Sequence, residues 1–566
     1  MIQPLHRKPF APGLPVEMDY GDLTLWDYLD LQARRFSNAA ALSFLGWTCT
    51  WSQLHRDAET LAGSLQNLGV RKGDRVALCS QNNPQFVAAV FAIFRCGAVP
   101  VMINPMNKAG EVAHCIGSTR AKVAITSGDL AQVFAAAQDN LEPAKRLDHL
   151  ILFTVGDLFD RPDAVPDTWR DWLTEKHPAP AIATTQVHEW PDLISQELVP
   201  STVKLSADDL ALLMFTSGTT GLPKACMHSH RTLMATSFQP RYLQGLRQGD
   251  AMLSVVPMFH ITGLVACLFA SVVEGAKVVI MPRWDREIAA RLIEDEKITH
   301  WSNIPTMMLD LFADPKLDTY DFSSIRYIGG GGAAMPRAAA EKVKTVFGIE
   351  YCEGYGLTET AAPTHANPMH AAKHGCLGIP IINTEAIILD TETMTAAPAG
   401  EVGEIISRGP QVFLGYWENE QATKDSFIEL DGKTWFRTGD LGRIDEDGYF
   451  FIADRLKRMI NASGFKIWPA EVEGMLYEHP AVQEACVISR NDPYRGQTPK
   501  AMIVLRQEAV GKTEPQDIID WARTTMSAYK VPREVEFVES LPKGPTGKIN
   551  WRQMQEEQDK LDEPTG

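Results

Sequence analysis

The sequence predicts an α/β fold: a large N-terminal domain of helix-covered, mostly parallel sheets, a β-rich subdomain, and a small α+β C-terminal domain. Two patterns carry this prediction. Short apolar strands alternate with amphipathic helices through the first two thirds of the chain, which is typical of parallel sheets covered by helices. From residue 385 onward the strands are short and separated by turn signals, which indicates antiparallel pairing. A length of 566 residues also suits several domains.

The clearest βαβ unit occupies residues 75–103. It consists of a strand at 75–79, a helix from Pro84 to Cys96 with Asn83 as N-cap, and a strand at 99–103. One face of the helix carries Phe86, Val90, Ile93 and Phe94. Further strands are predicted at 122–126, 149–153, 277–281 and 325–328, and a buried helix at 261–273. Residues 160–206, rich in Pro, Asp, Trp and Thr, are interpreted as a connector.

Composition limits the function classes. Hydrophobic residues make up 45% of the chain, as in an ordinary globular protein. The net charge is −17, which argues against a nucleic-acid partner and means that an anionic ligand needs a local positive site. The nine cysteines are scattered and never form a CxxC pair, which indicates reduced thiols in a cytoplasmic protein. No signal peptide or transmembrane run is apparent. The oligomeric state stays open, with a homodimer among the options.

A glycine- and hydroxyl-rich loop follows an apolar strand in the stretch LLMFTSGTTGLPKACMHSH, residues 212–230. Glycines let the backbone approach an anion, hydroxyls add donors, and Lys224 supplies a positive charge, so the loop is a candidate phosphate cradle. It is not a Walker A loop, because Pro223 and Ala225 stand where that motif requires Gly and Ser or Thr. By composition alone, a surface turn is the alternative.

Six further stretches bear on this loop. YIGGGGAAMP (327–336) offers bare backbone to a flat ring, and YGLTET (355–360) contains Glu359, a ligand type that suits Mg²⁺ with phosphate oxygens. TGD (438–440) places Asp440 where a carboxylate can accept ribose hydroxyls. The others are DRLKRMINASGFK (454–466), LPKGPTGKI (541–549) and PMFHITGL (257–264). Taken singly, each has an ordinary alternative, such as a turn or a solvated charged face.

Together, the identity, order and spacing of these motifs resemble the adenylate-forming superfamily, which includes acyl-CoA synthetases, luciferases and peptide-synthetase adenylation domains. The resemblance runs from about residue 23 to residue 551. It implies that a carboxylate attacks the α-phosphate of ATP to give acyl-AMP and pyrophosphate, and that a thiol then displaces AMP. ATP, Mg²⁺ and coenzyme A are the implied cofactors.

The resemblance also implies a role for each matching residue. The β- and γ-phosphates would be held by Thr216, Ser217, Gly218, Thr219, Thr220 and Lys224, and the adenine by Gly332, Ala333, Ala334, Tyr355 and Gly356. Thr358 would touch the α-phosphate, Glu359 would bind Mg²⁺, and Asp440 would bind the ribose with Arg455 nearby. Lys548 would bridge the carboxylate and the α-phosphate, where a single mobile charge is needed.

In this family one C-terminal domain rotates to serve both half-reactions. The implied division is an adenylation core at 1–456, with the β-rich subdomain at about 385–453, and a mobile domain at 457–566. The hinge would fall at Lys457. After rotation, Ser463 and Gly464 would face the thiol tunnel. Lys466 would steady the adenylation state. These large motions often limit turnover.

The acid is inferred from the PMFHITGL stretch. Amino-acid-activating relatives carry an Asp where this chain has His260, so a bare carboxylic acid is favoured. Small residues at Thr262 and Gly263 are expected to leave room for an extended chain, which indicates a medium- to long-chain fatty acid. Trp301, Asn303 and Met307 are candidates for the pocket wall or for ordinary core.

Several alternatives stay open. An aryl- or branched-acid CoA ligase fits the same motifs, as does an acyl-AMP ligase that loads a separate carrier protein. Coenzyme A is the preferred acceptor because no carrier domain follows Lys548. A silent nucleotide sensor is disfavoured, because Glu359, Asp440 and Lys548 are all present.

Overall fold

The computed structural model describes residues 15–158, 167–182, 184–216, 223–332, 335–455, 458–462, 465–492, 495–544 and 549–562. Helices and strands are numbered in chain order. The helices are α1 (Leu25–Arg35), α2 (Trp51–Asn67), α3 (Pro84–Arg95), α4 (Ala109–Thr119), α5 (Ala131–Asp139), α6 (Asp167–Thr174), α7 (Trp190–Ile194), α8 (His230–Ser237), α9 (Gln239–Leu243), α10 (Ala270–Glu274), α11 (Arg286–Asp295), α12 (Pro305–Phe312), α13 (Arg337–Phe347), α14 (Glu420–Asp425), α15 (Pro469–Leu476), α16 (Pro515–Thr525) and α17 (Trp551–Asp562).

The described strands form four sheets. They are β1 (Ala40–Phe44), β2 (Trp47–Thr50), β3 (Arg75–Cys79), β4 (Val99–Met102), β5 (Val123–Ser127), β6 (His149–Phe153), β7 (Gln186–Glu189), β8 (Leu210–Phe215), β9 (Ala225–Ser229), β10 (Ala251–Ser254), β11 (Lys277–Ile280), β12 (His300–Asn303), β13 (Tyr327–Gly331), β14 (Tyr351–Leu357), β15 (Ala362–Ala366), β16 (Ile379–Pro380), β17 (Glu385–Asp390), β18 (Thr395–Ala396), β19 (Gly403–Arg408), β20 (Gly415–Tyr416), β21 (Phe427–Leu430), β22 (Lys433–Ile444), β23 (Phe450–Arg455), β24 (Ile460–Ala462), β25 (Phe465–Ile467), β26 (Val482–Asp492), β27 (Gly496–Leu505) and β28 (Glu534–Phe537).

The two largest sheets are mostly parallel, as predicted. One has the order β16-β15-β14-β13-β12-β10-β11-β1-β2, and the other β20-β9-β8-β4-β3-β5-β6-β7. In the first, β13 pairs in parallel with β12 and β14; in the second, β4 pairs in parallel with β3 and β8. The carboxyl ends of β8, β12, β13 and β14 therefore point toward the edges where parallel sheets bind ligands.

Helix α3 lies in the core shared by these two sheets. Asn83 caps it, since its Oδ1 accepts the Phe86 N–H at 2.7 Å, and Pro84 occupies the first turn as predicted. Every residue from Pro84 to Phe94 is buried, and the Phe91 ring meets Phe269 with centroids 6.2 Å apart. The helix is therefore covered on all sides, rather than on the single predicted face.

The segment interpreted as a connector contributes regular structure. Strand β7 pairs in parallel with β6, with Leu150 opposite Val187, and so extends the eight-stranded sheet. Helix α6 is fastened by Trp172, whose indole N–H donates to Asp129 at 2.8 Å, with the Arg283 guanidinium 4.1 Å from its ring centroid. The prediction missed these elements because β7 alternates only weakly and depends on the neighbouring strand for its pairing.

The remaining sheets occupy the later part of the chain. Strands β17, β18, β19, β21, β22 and β23 form an antiparallel six-stranded sheet, which matches the predicted β-rich region. Strands β24 to β28 form a five-stranded sheet. It has a core of its own, which includes Ile460, Val472, Val487, Ile503 and Ile518. The chain thus has a large N-terminal domain and a smaller C-terminal one.

Candidate active site

One cavity of about 1190 Å³ brings together the predicted residues that the structure describes. Those lining it are Thr216, Lys224, His260, Gly332, Tyr355, Gly356, Thr358, Glu359 and Asp440. They come from five separate motifs, so the sequence motifs converge in space. Ser217, Gly218, Thr219, Thr220, Ala333, Ala334, Lys457, Ser463, Gly464 and Lys548 lie outside the described residues, and Arg455 and Lys466 are described only by their backbone, in β23 and β25.

The base of the candidate phosphate loop is closed by the hairpin of β8 and β9. The Thr216 N–H donates to the Lys224 carbonyl at 2.9 Å, and the Lys224 N–H donates back to Thr216 Oγ1 at 3.3 Å. His114 Nε2 lies 2.9 Å from the Pro223 carbonyl oxygen. The two ends of the loop are therefore held together, and Lys224 enters the cavity at a fixed place.

The glycines of β13 pack backbone against backbone. A Cβ added at Gly330 would lie 1.9 Å from the Asn303 carbonyl oxygen, and one at Gly331 would lie 2.3 Å from that of Gly354. Side chains are excluded at both positions by the adjacent strands, and the backbone of Gly330 and Gly331 borders the cavity. Glu353, one residue before Gly354, accepts the Met335 N–H at 2.8 Å, and burial raises the pKa of its carboxyl to about 7.

Asp440 lies in β22, opposite Arg455 of β23. Its N–H donates to Thr438 Oγ1 at 3.1 Å, and the Thr438 hydroxyl donates to the Ile405 carbonyl at 2.6 Å. The Tyr355 hydroxyl donates to Asp440 Oδ2 at 2.6 Å. The carboxylate and the aromatic ring are thus positioned relative to each other across two sheets.

The turn that carries Thr358 and Glu359 is supported from behind. His228 of β9, fully buried, has its Nε2 2.8 Å from the Thr358 carbonyl oxygen, and burial lowers the pKa of its imidazole to about 4. The neutral ring therefore donates from Nε2 to the carbonyl. The Glu359 carboxylate accepts the Tyr416 hydroxyl at 2.7 Å, and the Phe413 N–H donates to the Glu359 carbonyl at 2.8 Å.

The arrangement suits one Mg²⁺ ion held mainly by phosphate. Among the described residues, no three His, Cys, Asp or Glu side chains come together as a metal cage. Glu359 borders the cavity near Thr216 and Lys224 and offers a single carboxylate. Mg²⁺ in phosphate sites takes one or two carboxylates and completes its shell with phosphate oxygens and water, so this donor set fits the ion.

The lining of the cavity also includes His260 and a set of apolar residues, namely Val256, Ile261, Ala266, Ile304, Met307, Ala362 and Pro363. The helix predicted at 261–273 begins as a π-helix, Gly263–Phe269, and continues as α10. Helices of this kind are frequent at functional sites. The prediction for Gly263 was wrong: a Cβ there would meet the carbonyl oxygens of Pro257 at 2.3 Å and Val256 at 2.4 Å. Its small size serves backbone packing and leaves no room for substrate.

Two of the three candidate wall residues border the cavity. Asn303 and Met307 do so, whereas Trp301 is fully buried and stacks on Trp284 with centroids 5.8 Å apart. Trp301 is therefore ordinary core, and Asn303 and Met307 form wall.

Comparison with known proteins identifies the family. The sequence profile described as AMP-binding enzyme matches residues 29–417. The chain belongs to the AMP-binding enzyme family. A second profile, AMP-binding enzyme C-terminal domain, matches residues 471–548 and ends at the predicted catalytic lysine.

Relatives of this AMP-binding enzyme are similar over nearly the whole chain. A long-chain-fatty-acid–CoA ligase of Bacillus subtilis (strain 168) is 35% identical, with 97% of both chains covered. A feruloyl-CoA synthase of an Amycolatopsis species is 32% identical, with 92% of this chain and 96% of the relative covered. Among solved structures, an anthranilate–CoA ligase in complex with anthranoyl-AMP is similar with a TM-score of 0.83 and 27% identity, covering 97% of this chain and 98% of that one.

In this AMP-binding enzyme the C-terminal helix α17 also borders the cavity. Trp551, Arg552, Gln555, Glu556 and Asp559 line it, all on a helix that begins three residues after Lys548. The described residues contain no helix that is long and apolar enough to cross a membrane.

Three residues of the site escaped sequence reasoning. Tyr416, His228 and Glu353 act through contacts with Glu359, Thr358 and Met335, which are 57, 130 and 18 positions away. His228 lies within the quoted loop stretch and Glu353 directly before YGLTET, so proximity to a motif was a usable signal for both. Tyr416 carries no such signal.

Proposed function

We propose that this AMP-binding enzyme is an acid–thiol ligase that converts a medium- to long-chain fatty acid, through acyl-AMP, into its coenzyme A thioester. The observation that carries the proposal is one cavity whose lining combines Thr216, Lys224, Tyr355, Glu359 and Asp440 with apolar residues such as Ile261, Ile304 and Met307. The polar residues suit a nucleoside triphosphate, and the apolar residues suit the body of an acid.

In the first half-reaction an oxygen of the substrate carboxylate attacks the α-phosphorus of ATP, and the bond to pyrophosphate breaks. The chain contributes positioning and charge. Tyr355 and the bare backbone of β13 hold the adenine, Asp440 accepts the ribose hydroxyls, and Thr358 contacts the α-phosphate. Lys224 neutralises the departing pyrophosphate, while Lys548 enters with the C-terminal domain to bridge the two reacting groups.

Glu359 is the residue that would hold Mg²⁺, which when bound supplies positive charge to the phosphate oxygens. In the second half-reaction the C-terminal domain rotates about Lys457. The sulfur of coenzyme A then attacks the acyl carbonyl carbon, and the bond to AMP breaks. Lys548 leaves the site in this step, so the product AMP loses one of the charges that held it.

The preference for a fatty acid rests on the apolar residues that line the cavity and on the fatty-acid ligases among the relatives. An aryl acid is the second candidate, supported by the feruloyl-CoA synthase and the anthranilate–CoA ligase named above. An apolar pocket discriminates between acids that differ by one methylene group by roughly 10- to 200-fold. The substrate class is therefore established by measurement.

The test is ATP–pyrophosphate exchange with a panel of acids from butyrate to stearate, together with benzoate, anthranilate and ferulate. The proposal expects strongest exchange with the longer aliphatic acids, and formation of AMP and thioester once coenzyme A is added. Exchange confined to the aryl acids would contradict the fatty-acid assignment. Exchange without any thioester, but with transfer to a phosphopantetheinyl carrier protein, would overturn the choice of acceptor.

We also place this enzyme in the cytoplasm. All nine cysteines are free and buried, which suits a reducing compartment. The homodimer stays a prediction, which sedimentation of the purified protein would test.

A further inference from the structure

Tyr416 lies between two groups that the proposed chemistry uses. Its hydroxyl donates to Glu359 Oε1 at 2.7 Å, and the Lys224 ammonium lies 4.8 Å from the centroid of its ring. The residue is 8% exposed and borders the cavity. One side chain therefore touches both the candidate metal ligand and the candidate phosphate clamp.

The backbone around Tyr416 is hydrogen-bonded to the strand that follows Lys224 and to Glu359. Strand β20 pairs with β9, placing Tyr416 opposite Cys226, and the Trp417 N–H donates to the Ala225 carbonyl at 2.8 Å. The Phe413 N–H donates to the Glu359 carbonyl at 2.8 Å. Since Ala225 directly follows Lys224, residues 413–417 join the base of the phosphate loop to the turn that carries Glu359.

The side chain is also fixed against its own neighbours. The Tyr416 ring meets Phe413 edge-on, with centroids 4.9 Å apart, and the Tyr416 N–H donates to Thr423 Oγ1 at 2.9 Å. A ring held in this way presents its face to Lys224 and its hydroxyl to Glu359 in one geometry. Its hydroxyl donates to Oε1 of the carboxylate, and no other residue in the described part of the chain hydrogen-bonds to Oε2.

We propose that Tyr416 is a positioning residue that aligns Glu359 for Mg²⁺ through its hydroxyl and holds Lys224 at the phosphates through its ring. The inference deepens the proposed function and rests on it for the identity of the two ligands. A hydrogen bond to a metal-binding carboxylate fixes its orientation, and loss of such a partner weakens metal affinity by about 10- to 100-fold. The contact of a cation with an aromatic face contributes less, of the order of a few-fold in binding.

The two contacts predict separable effects. Tyr416→Phe keeps the ring and removes the hydroxyl, so Mg²⁺ dependence should change while the clamp is kept. Tyr416→Leu removes both contacts, so nucleotide affinity should also fall. Tyr449 is a matched control: its hydroxyl donates to the Ala371 carbonyl at 2.6 Å, the Lys373 ammonium lies 5.1 Å from its ring centroid, and it is similarly buried at 7% exposure.

The primary experiment measures calorimetric binding of a non-hydrolysable ATP analogue over a range of Mg²⁺ concentrations. Tyr416→Phe should raise the half-saturating Mg²⁺ concentration by about tenfold, with affinity at saturating Mg²⁺ within about twofold of wild type. Tyr416→Leu should weaken binding at saturating Mg²⁺ by a further factor of about three. Tyr449→Phe should change thermal stability alone. An unchanged Mg²⁺ dependence in Tyr416→Phe, with a melting shift like that of Tyr449→Phe, overturns the positioning role.

The lysine part has its own refutation. If Tyr416→Leu binds the analogue at saturating Mg²⁺ as tightly as Tyr416→Phe does, the ring does not hold Lys224. Because the readout is nucleotide binding, it does not depend on the identity of the acid. Wild-type protein that binds the analogue with Mg²⁺ but supports no pyrophosphate exchange with any acid refutes the proposed ligase function and leaves the Tyr416 result standing.

Discussion

Two carboxylates, one in each part of the molecule, are stabilised in different ways. Glu353, beside the cavity, is buried and held by backbone N–H groups of Met335 and Gly375. Glu473, on helix α15 of the C-terminal domain, pairs with the mostly buried Arg458 guanidinium and accepts the Val487 N–H at 2.7 Å. Backbone donors thus stabilise the first carboxylate, whereas a positively charged side chain neutralises the second.

This difference fits the proposed roles of the two parts. A cavity proposed to bind an anionic nucleotide needs donors and acceptors left for the ligand, and polar contacts such as that of Tyr355 with Asp440 link separate sheets there. A domain proposed to rotate as one body would benefit from internal pairing, because its contacts would then not change with the rotation. Arg458 also lies 5.3 Å from the centroid of Trp551, so the start of the C-terminal sheet touches the helix that follows Lys548.

The largest expected effect tests whether the later part moves. Lys548→Ala should slow acyl-AMP formation by about 10²- to 10³-fold, because it removes the charge that bridges carboxylate and α-phosphate, while thioester formation from supplied acyl-AMP stays largely intact. Lys457→Pro should do the opposite, because proline stiffens the proposed hinge. Both half-reactions are measured separately, by pyrophosphate exchange and by consumption of synthetic acyl-AMP. Equal losses in both half-reactions for both variants would contradict a rotating domain.

The second prediction concerns the ion pair between Glu473 and Arg458 in the C-terminal domain. Glu473→Gln leaves the mostly buried Arg458 guanidinium without its counter-charge, so the free energy of unfolding should fall by roughly 2–3 kcal/mol. Hydrogen exchange should speed up in β26 and β27 while β13 and β14 stay protected. The control is Glu471→Gln on the same helix. Glu471 pairs with Lys530, and both side chains lie nearer the surface than those of Glu473 and Arg458. The loss of unfolding free energy in this variant should stay below about 1 kcal/mol. If the two variants lose the same free energy of unfolding, the Glu473–Arg458 pair contributes no more than a surface ion pair, and the prediction is wrong.

Much of the wall was predictable from sequence, for a physical reason. Thr216, Lys224, Tyr355, Glu359 and Asp440 belong to short contiguous motifs, because a ligand that touches a loop or a strand end needs several neighbouring residues there. The residues that hold them are single contacts over long sequence separations, as with Tyr416 on Glu359. A lone buried tyrosine or histidine has no spacing to reveal it.

The fold shows the same division. Strands such as β3 and β6 were predicted at their observed bounds, because a continuous apolar run between turn signals is a local property. Strand β7 was missed because it is an edge strand whose partner, β6, defines it. The prediction for Gly263 was wrong for a related reason. The space that a side chain at Gly263 would need is filled by the carbonyl groups of Val256 and Pro257, and this contact depends on how the chain folds at the start of the π-helix.

The smallest expected effect isolates Glu353, the buried carboxylate directly before the cavity residue Gly354. Burial raises the pKa of Glu353 from 4.5 to about 7, so between these values the folded state holds the proton more tightly than the unfolded one. The free energy of unfolding therefore falls as pH rises through this window, and the penalty, bounded at roughly 3 kcal/mol, is complete above pH 7. Glu353→Gln removes the charge but offers one carbonyl oxygen to two N–H donors.

The net gain from Glu353→Gln should accordingly be about 1 kcal/mol at pH 8 and close to zero at pH 5, where the native carboxyl is already protonated in the fold. Denaturant unfolding at both pH values measures it. Glu473→Gln provides the opposite sign, since it destabilises at pH 8. A Glu353→Gln variant that is destabilised equally at pH 5 and pH 8 would mean that the carboxylate is fully compensated by its two N–H donors, and the contrast between Glu353 and Glu473 would then lose its electrostatic basis.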